Sequence, residues 1–129
     1  MTGRMWMVCG AVLAAVGVGL GAIGAHALKE RLAADQLVTY ETGVRYHLYH
    51  ALALVVVGLI LERYASPLLQ AAAIAILVGI VLFSGGIYAW LATEIKPFVH
   101  VVPVGGLSLI VGWLLLAAGL FAAAVRSGP

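Results

Sequence analysis

The chain of 129 residues is 64% hydrophobic and only 9% charged, with a mean hydropathy of +1.15, whereas about a quarter of the residues of a soluble domain are charged. This is the composition of an integral membrane protein, and a net charge of +2 with no run of Lys or Arg leaves no electrostatic footprint for nucleic acid. A lone cysteine, Cys9, excludes an intrachain disulfide and CxxC redox chemistry and reads as a small packing residue.

Four long apolar stretches follow one another, and residues 5–28, 64–93 and 97–125 contain no Asp, Glu, Lys or Arg. A helix needs about 20 apolar residues to cross ~30 Å of hydrocarbon at 1.5 Å per residue. The expected fold class is therefore all-α, a single membrane domain of four transmembrane helices running up-down-up-down, with spans at about 5–28, 42–62, 67–91 and 104–126. Arg4, the first apolar run and Ala25-His26-Ala27 imitate a secretory signal with its cleavage site. The run exceeds the ~7 to 15 residues of a signal core, so it is expected to remain as a span.

In the first span Gly10, Ala14, Gly17, Gly21 and Gly24 recur every three or four residues. They set a face of small side chains that lets another helix approach closely. Residues 29–39 form a polar connector in which Asp35 is expected to cap a second helix starting near Gln36. That second span is awkward: only sixteen uncharged residues separate Arg45 from Glu62, about 24 Å of helix. Arg45, Tyr46, His47, Tyr49 and His50 must then enter or line the membrane. Ser66 and Pro67 form a cap and first-turn proline for the third span, which makes a tight hairpin with the second. Lys96-Pro97 and Val102-Pro103 are expected to break the helix twice, leaving 94–103 as an apolar interfacial loop and Pro103 to open the fourth span. Gly105, Ser108, Gly112 and Gly119 repeat the small-residue device there. Trp6 and Tyr64 at one end, and Tyr40 and Trp90 at the other, suit interfacial belts. Arg4, Arg63 and Arg126 on one side balance Lys29, Arg31 and Lys96 on the other. The termini are expected in the cytoplasm.

Up-and-down threading brings His26, residues 40–50, residues 84–88 and residues 103–106 into one leaflet. At 100° per residue Tyr40, Gly43, His47, His50 and Leu54 share a stripe, while Glu41, Arg45, Leu48 and Leu52 lie on nearly the opposite face. Glu41 and Arg45 are spaced for an i,i+4 ion pair, and Arg45 could alternatively contact an anion or lipid headgroup. His50 lies about 18 Å before Glu62 along the helix. Its imidazole therefore needs a partner, with His26, Ser84, Tyr88 and the backbone opened by Gly85, Gly86, Gly105 and Gly106 as candidates, and serves either as a satisfied structural group or as a proton relay or ligand contact. The four histidines include no H-E-x-x-H or Glu-x-x-His pattern, and Val44 stands where the latter would need Glu, so no metal or haem is expected.

The segments GAIGAHAL at 21–28, YETGVRYHLYHAL at 40–52, FSGGIY at 83–88 and PVGG at 103–106 resemble the YgdD-like family. These are small four-helix bacterial inner-membrane proteins of unknown function with relatives in eukaryotes. The resemblance covers nearly the whole chain and assigns His26, Glu41, Thr42, Gly43, Arg45, Tyr46, His50, Ser84, Gly85, Tyr88, Pro103, Gly105 and Gly106 to the family pattern. His47 departs from it, since relatives usually carry Gln there, and Gly86 stands where Ser is common. The resemblance implies a multi-pass protein of the bacterial inner membrane and no activity.

The expected function is non-enzymatic: a cluster of His26, Glu41, Arg45, Tyr46, His50, Ser84 and Tyr88 binds a membrane partner, a homo-oligomeric copy, or a lipid or small hydrophobic ligand. Gly17, Gly21, Gly24, Gly105, Gly106 and Gly112 pack the helices. The alternative is an oligomeric transporter or proton-conducting channel using His50 and His26. No cofactor or nucleic acid is expected, and no nucleophile, base and orienting group stand at recognisable spacing.

Overall fold

The computed structural model describes residues 1–126 and contains four helices long and apolar enough to cross a membrane. These are α1 (Gly3–Ile23), α2 (Ala34–Arg63), α3 (Pro67–Thr93) and α4 (Pro97–Arg126), with one π turn, Gly24–Leu28, prolonging α1. The fold is all-α and runs up-down-up-down. Thr2 starts α1 by accepting the Met5 N–H at 3.3 Å. Gln36 Oε1 reaches back to the Ala33 N–H at 3.1 Å to start α2, so the helix begins at Ala34 and Asp35 lies inside its first turn instead of capping it. Pro67 opens α3, where a missing N–H costs nothing. Glu94 closes α3 in the left-handed region at φ 58°, its N–H bonded to Trp90 O at 2.7 Å.

The expected interfacial loop at 94–103 shrinks to residues 94–96, because α4 begins at Pro97 and runs through Pro103. Proline removes one N–H, but leaving residues 98–102 unwound would strip every backbone group there of a partner in a medium that offers none. Winding the segment also places Val101 and Val102 against Gly86 of α3. The expected belts change too. Trp6 is 2% exposed and Tyr40 5%, since each finds a buried partner: Trp6 Nε1 donates to Gln70 Oε1 at 2.8 Å, and Tyr40 bonds to α1. A buried indole or phenol is tolerated once its polar atom is paired.

Each helix packs chiefly on its neighbours in sequence, α1 on α2, α2 on α3 and α3 on α4. Leu54, Val57, Leu69, Ala72 and Ile76 are wholly buried on α2 and α3, joined by Trp6 from α1 and by Leu109 and Leu116 from α4. The two outer helices leave broad apolar faces open, such as Val8, Val12 and Val16 on α1 and Leu107, Leu114 and Phe121 on α4. Where helices meet closely, a side chain would not fit. A Cβ on Gly24 would lie 2.6 Å from Tyr40 Cε1, one on Gly112 2.6 Å from Ile76 Cγ1, and one on Gly105 would run into the backbone of Phe83. Gly17 faces Leu48 and His47 as closely, whereas Gly21 and Gly106 have room, the nearest atoms being 3.4 Å and 3.6 Å away.

Candidate functional site

The polar groups inside the helical array divide into two sets with different work. The first set joins helices. His47 Nε2 bonds to the Leu13 carbonyl of α1 at 2.9 Å and the Tyr40 hydroxyl donates to Leu20 O at 2.7 Å. Ser84 Oγ donates from α3 to Gly43 O of α2 at 2.8 Å, and Ser108 Oγ from α4 to Ala75 O of α3 at 2.8 Å. Every seam between sequential helices thus carries a side chain aimed at the neighbour's backbone. The acceptor is a helical carbonyl already bonded within its own helix, which still has a second lone pair.

That lone pair must be uncovered. A helical side chain covers the surface one turn towards the N-terminus of its own Cα, so residue i+4 shields carbonyl i. Three of the four acceptors, Leu13, Leu20 and Ala75, are followed four residues later by Gly17, Gly24 and Gly79. The fourth acceptor is Gly43 itself, where a Cβ would lie 3.2 Å from Ile87 and Tyr88. The glycines therefore expose hydrogen-bond acceptors as well as letting helices approach.

The histidines follow the same logic. A carbonyl can only accept, so His47 carries its proton on Nε2, and its Nδ1 faces the Tyr88 hydroxyl at 3.4 Å. His50 Nδ1 bonds to Tyr46 O of its own helix at 2.6 Å, and its Nε2 accepts from the Trp113 indole of α4 at 3.0 Å. An indole only donates, so His50 carries one proton, on Nδ1. Tyr46 stacks on the His50 ring at 5.9 Å and 23° and meets Phe83 at a tilt, 5.0 Å away. Tyr40 and Tyr88 meet at 5.5 Å.

The expected companion of His50 is displaced. His26 lies in the π turn with its ring exposed, while His50 sits beyond the level of Leu13, about 20 Å away along α1. End-of-span threading placed His26 and the start of α2 together correctly, but His50 is the seventeenth residue of α2, near mid-membrane. The His26–His50 relay of the transporter reading is not assembled. Trp113, and not His26, Ser84 or Tyr88, is the side chain bonded to the His50 ring. A single tryptophan midway along an otherwise apolar span was the available signal for Trp113.

The second set faces outward. The π turn and α2 enclose a notch of about 330 Å³ whose floor is Gly21, Gly24, Val44 and Leu48 and whose rim includes Tyr40, Glu41 and Arg45. The expected Glu41–Arg45 ion pair does not form: the one salt bridge among the described residues is Arg4–Glu62, at 3.4 Å. An exposed i,i+4 pair contributes only ~0.2 to 0.5 kcal/mol, too little to hold both side chains in one geometry. Of the expected cluster, then, Tyr46, His50, Ser84 and Tyr88 lie among the packed helices, Glu41 and Arg45 lie at the notch, and His26 stands apart. Among the described residues no three His, Cys, Asp or Glu side chains gather as metal ligands would.

Residues 20–106, from the end of α1 into α4 and including the whole notch, match the family described as "Protein of unknown function (DUF423)". The chain belongs to the DUF423 family. It is 36% identical to the UPF0382 membrane protein YwdK of Bacillus subtilis over 88% of this chain and 93% of that one. It is 36% identical to the UPF0382 membrane protein SSP2132 of Staphylococcus saprophyticus, over 92% and 98% of the two chains. The UPF0382 inner membrane protein YgdD of Escherichia coli K12 is 32% identical over 92% and 91%. No solved structure matches the chain. Like these DUF423 relatives it is a membrane protein, and its four apolar helices place it in the bacterial inner membrane as a multi-pass protein.

Proposed function

We propose that this is a non-catalytic membrane protein that holds a lipid or small amphiphile in the notch between the π turn and α2. The observation that carries the reading is the pair Glu41 and Arg45, unpaired and exposed at the rim of an apolar floor made by Gly21, Gly24 and Val44. An acyl chain suits that floor, and a headgroup bearing hydrogen-bond donors and an anion suits the rim. A π turn widens a helix locally and recurs at functional sites, and here it contributes Gly24 and Ala25 to the lining. The internal polar groups support the same division of labour. His47, His50, Ser84 and Tyr40 are occupied by neighbouring helices, which leaves the rim charges as the groups with capacity for a ligand.

Native mass spectrometry of the protein extracted gently from bacterial membranes tests this reading. The parent should retain a stoichiometric amphiphile that the Glu41→Gln/Arg45→Gln variant loses at an unchanged melting temperature. Equal retention by both would refute the notch as the site.

A further inference from the structure

The opposite membrane face carries a second constellation, at the turn between α2 and α3. A cavity of about 320 Å³ opens there, lined by Arg63, Tyr64 and Ser66 of the turn and by Gly119, Ala123 and Arg126 of α4. Ser66 is only 7% exposed, and its Oγ is the one buried side-chain polar atom without a hydrogen-bond partner among the described residues. Ser66 holds the N-cap position of the 27-residue helix α3, yet its side chain caps nothing. Pro67 has no N–H, the Gln70 N–H is taken by Ser66 O at 3.0 Å, and the Leu68 N–H has no acceptor in the turn. The Ser66 hydroxyl and the Leu68 N–H therefore stand idle at the positive end of a helix dipole, beside two guanidinium groups.

A buried hydroxyl without a partner carries an unmet desolvation penalty, which an acceptor bound in the cavity relieves. The donors outnumber what one carboxylate could accept alongside two arginines, and a phosphate group offers enough oxygens for all of them. Among the described residues no acidic side chain lines the cavity. Glu62, which shares an adjacent hollow with Ser66, is engaged instead by the Arg4 side chain at 3.4 Å and the Arg4 N–H at 3.0 Å. We infer that the α2–α3 turn is a phosphate-binding site, in which Arg63 and Arg126 neutralise the charge while Ser66 and the first turn of α3 fix the oxygens. The phosphate is either that of an anionic lipid headgroup or a free anion. This site is independent of the notch and lies at the other end of α2.

The test uses the full chain in neutral phosphatidylcholine nanodiscs, titrated with phosphatidylglycerol and, separately, with inorganic phosphate. Bound lipid is counted by native mass spectrometry and bound phosphate by calorimetry. Arg63→Gln/Arg126→Gln should weaken binding about tenfold or more, the size of a lost charge-assisted contact. Ser66→Ala should weaken it several-fold with no change in net charge, and Arg4→Gln, on the same face but off the cavity, should leave it intact. Phosphatidylglycerol binding that phosphate does not displace identifies the lipid as ligand, and saturable phosphate binding without lipid preference identifies the free anion. No binding of either probe would overturn the proposal. So would equal binding by the parent and Ser66→Ala, or a loss in Arg4→Gln as large as in the double variant, which would mark diffuse surface attraction.

Discussion

Replacing His47 separates the hydrogen bond between α1 and α2 from the packing around it. His47→Leu keeps a side chain of similar bulk against Gly17 but removes the Nε2 donor to Leu13 O and the Nδ1 that faces the Tyr88 hydroxyl. Leu13 O keeps the bond to its own helix, so no orphan appears on α1. The loss there is one interhelical bond within a membrane, about 0.6 to 1.7 kcal/mol. The Tyr88 hydroxyl loses a long contact of 3.4 Å, adding about 0.5 to 1 kcal/mol at most. His47→Leu should therefore destabilise the protein by about 1 to 2 kcal/mol, measured by thermal or denaturant unfolding in a fixed detergent. His47→Gln should lie within about 0.5 kcal/mol of the parent, because its amide can donate to the same carbonyl. Equal stability of the Leu variant and the parent would show that the bond across the α1–α2 seam contributes nothing. A Gln variant as weak as the Leu variant would show that ring packing, not donation, matters.

The glycines make a paired prediction. Gly105→Ala, which drives a methyl into the Phe83 backbone, should cost about 1 to 3 kcal/mol and loosen α3 from α4, whereas Gly21→Ala, with 3.4 Å of clearance, should be neutral in the same unfolding measurement. Glu94 holds φ 58° at the end of α3, a conformation that costs a non-glycine residue about 1 kcal/mol. Glu94→Gly should accordingly raise stability by about 0.5 to 1 kcal/mol, and a lower melting temperature would count against strain at that turn.

Hydropathy and periodicity made the spans, their number and their alternating direction legible, because in lipid the backbone leaves helices as the only economical solution and length sets how many there are. The α2 stripe was legible for the same reason: Tyr40, Gly43, His47, His50 and Leu54 are all buried, while Glu41, Arg45 and Leu52 face out. Partner identity was not. Periodicity says which side of a helix a residue occupies and not how far along the neighbouring helix its partner stands. His26 was therefore set beside His50, when the antiparallel pairing sets Gly24 against Tyr40 and Leu13 against His47. Pro103 misled for a related reason. The local rule that proline stops a helix is outweighed in a membrane by the cost of exposing five further residues of backbone.

The rule that would have found the missing partners lies in the chain itself. In this protein a buried donor from one helix reaches a carbonyl whose residue four places on is glycine, as at Leu13 and Gly17, Leu20 and Gly24, and Ala75 and Gly79. A stripe of glycines is usually taken to mean close van der Waals approach. Here three of the seam glycines, Gly17, Gly24 and Gly79, also mark where the backbone can still accept, each standing four residues after a carbonyl met by a His, Tyr or Ser of the neighbouring helix. That reading places His47 against α1 and Ser108 against α3 on physical grounds. It does not account for Glu41, Arg45 or Ser66, and these line the notch and, with Arg63 and Arg126, the turn cavity where ligands are assigned.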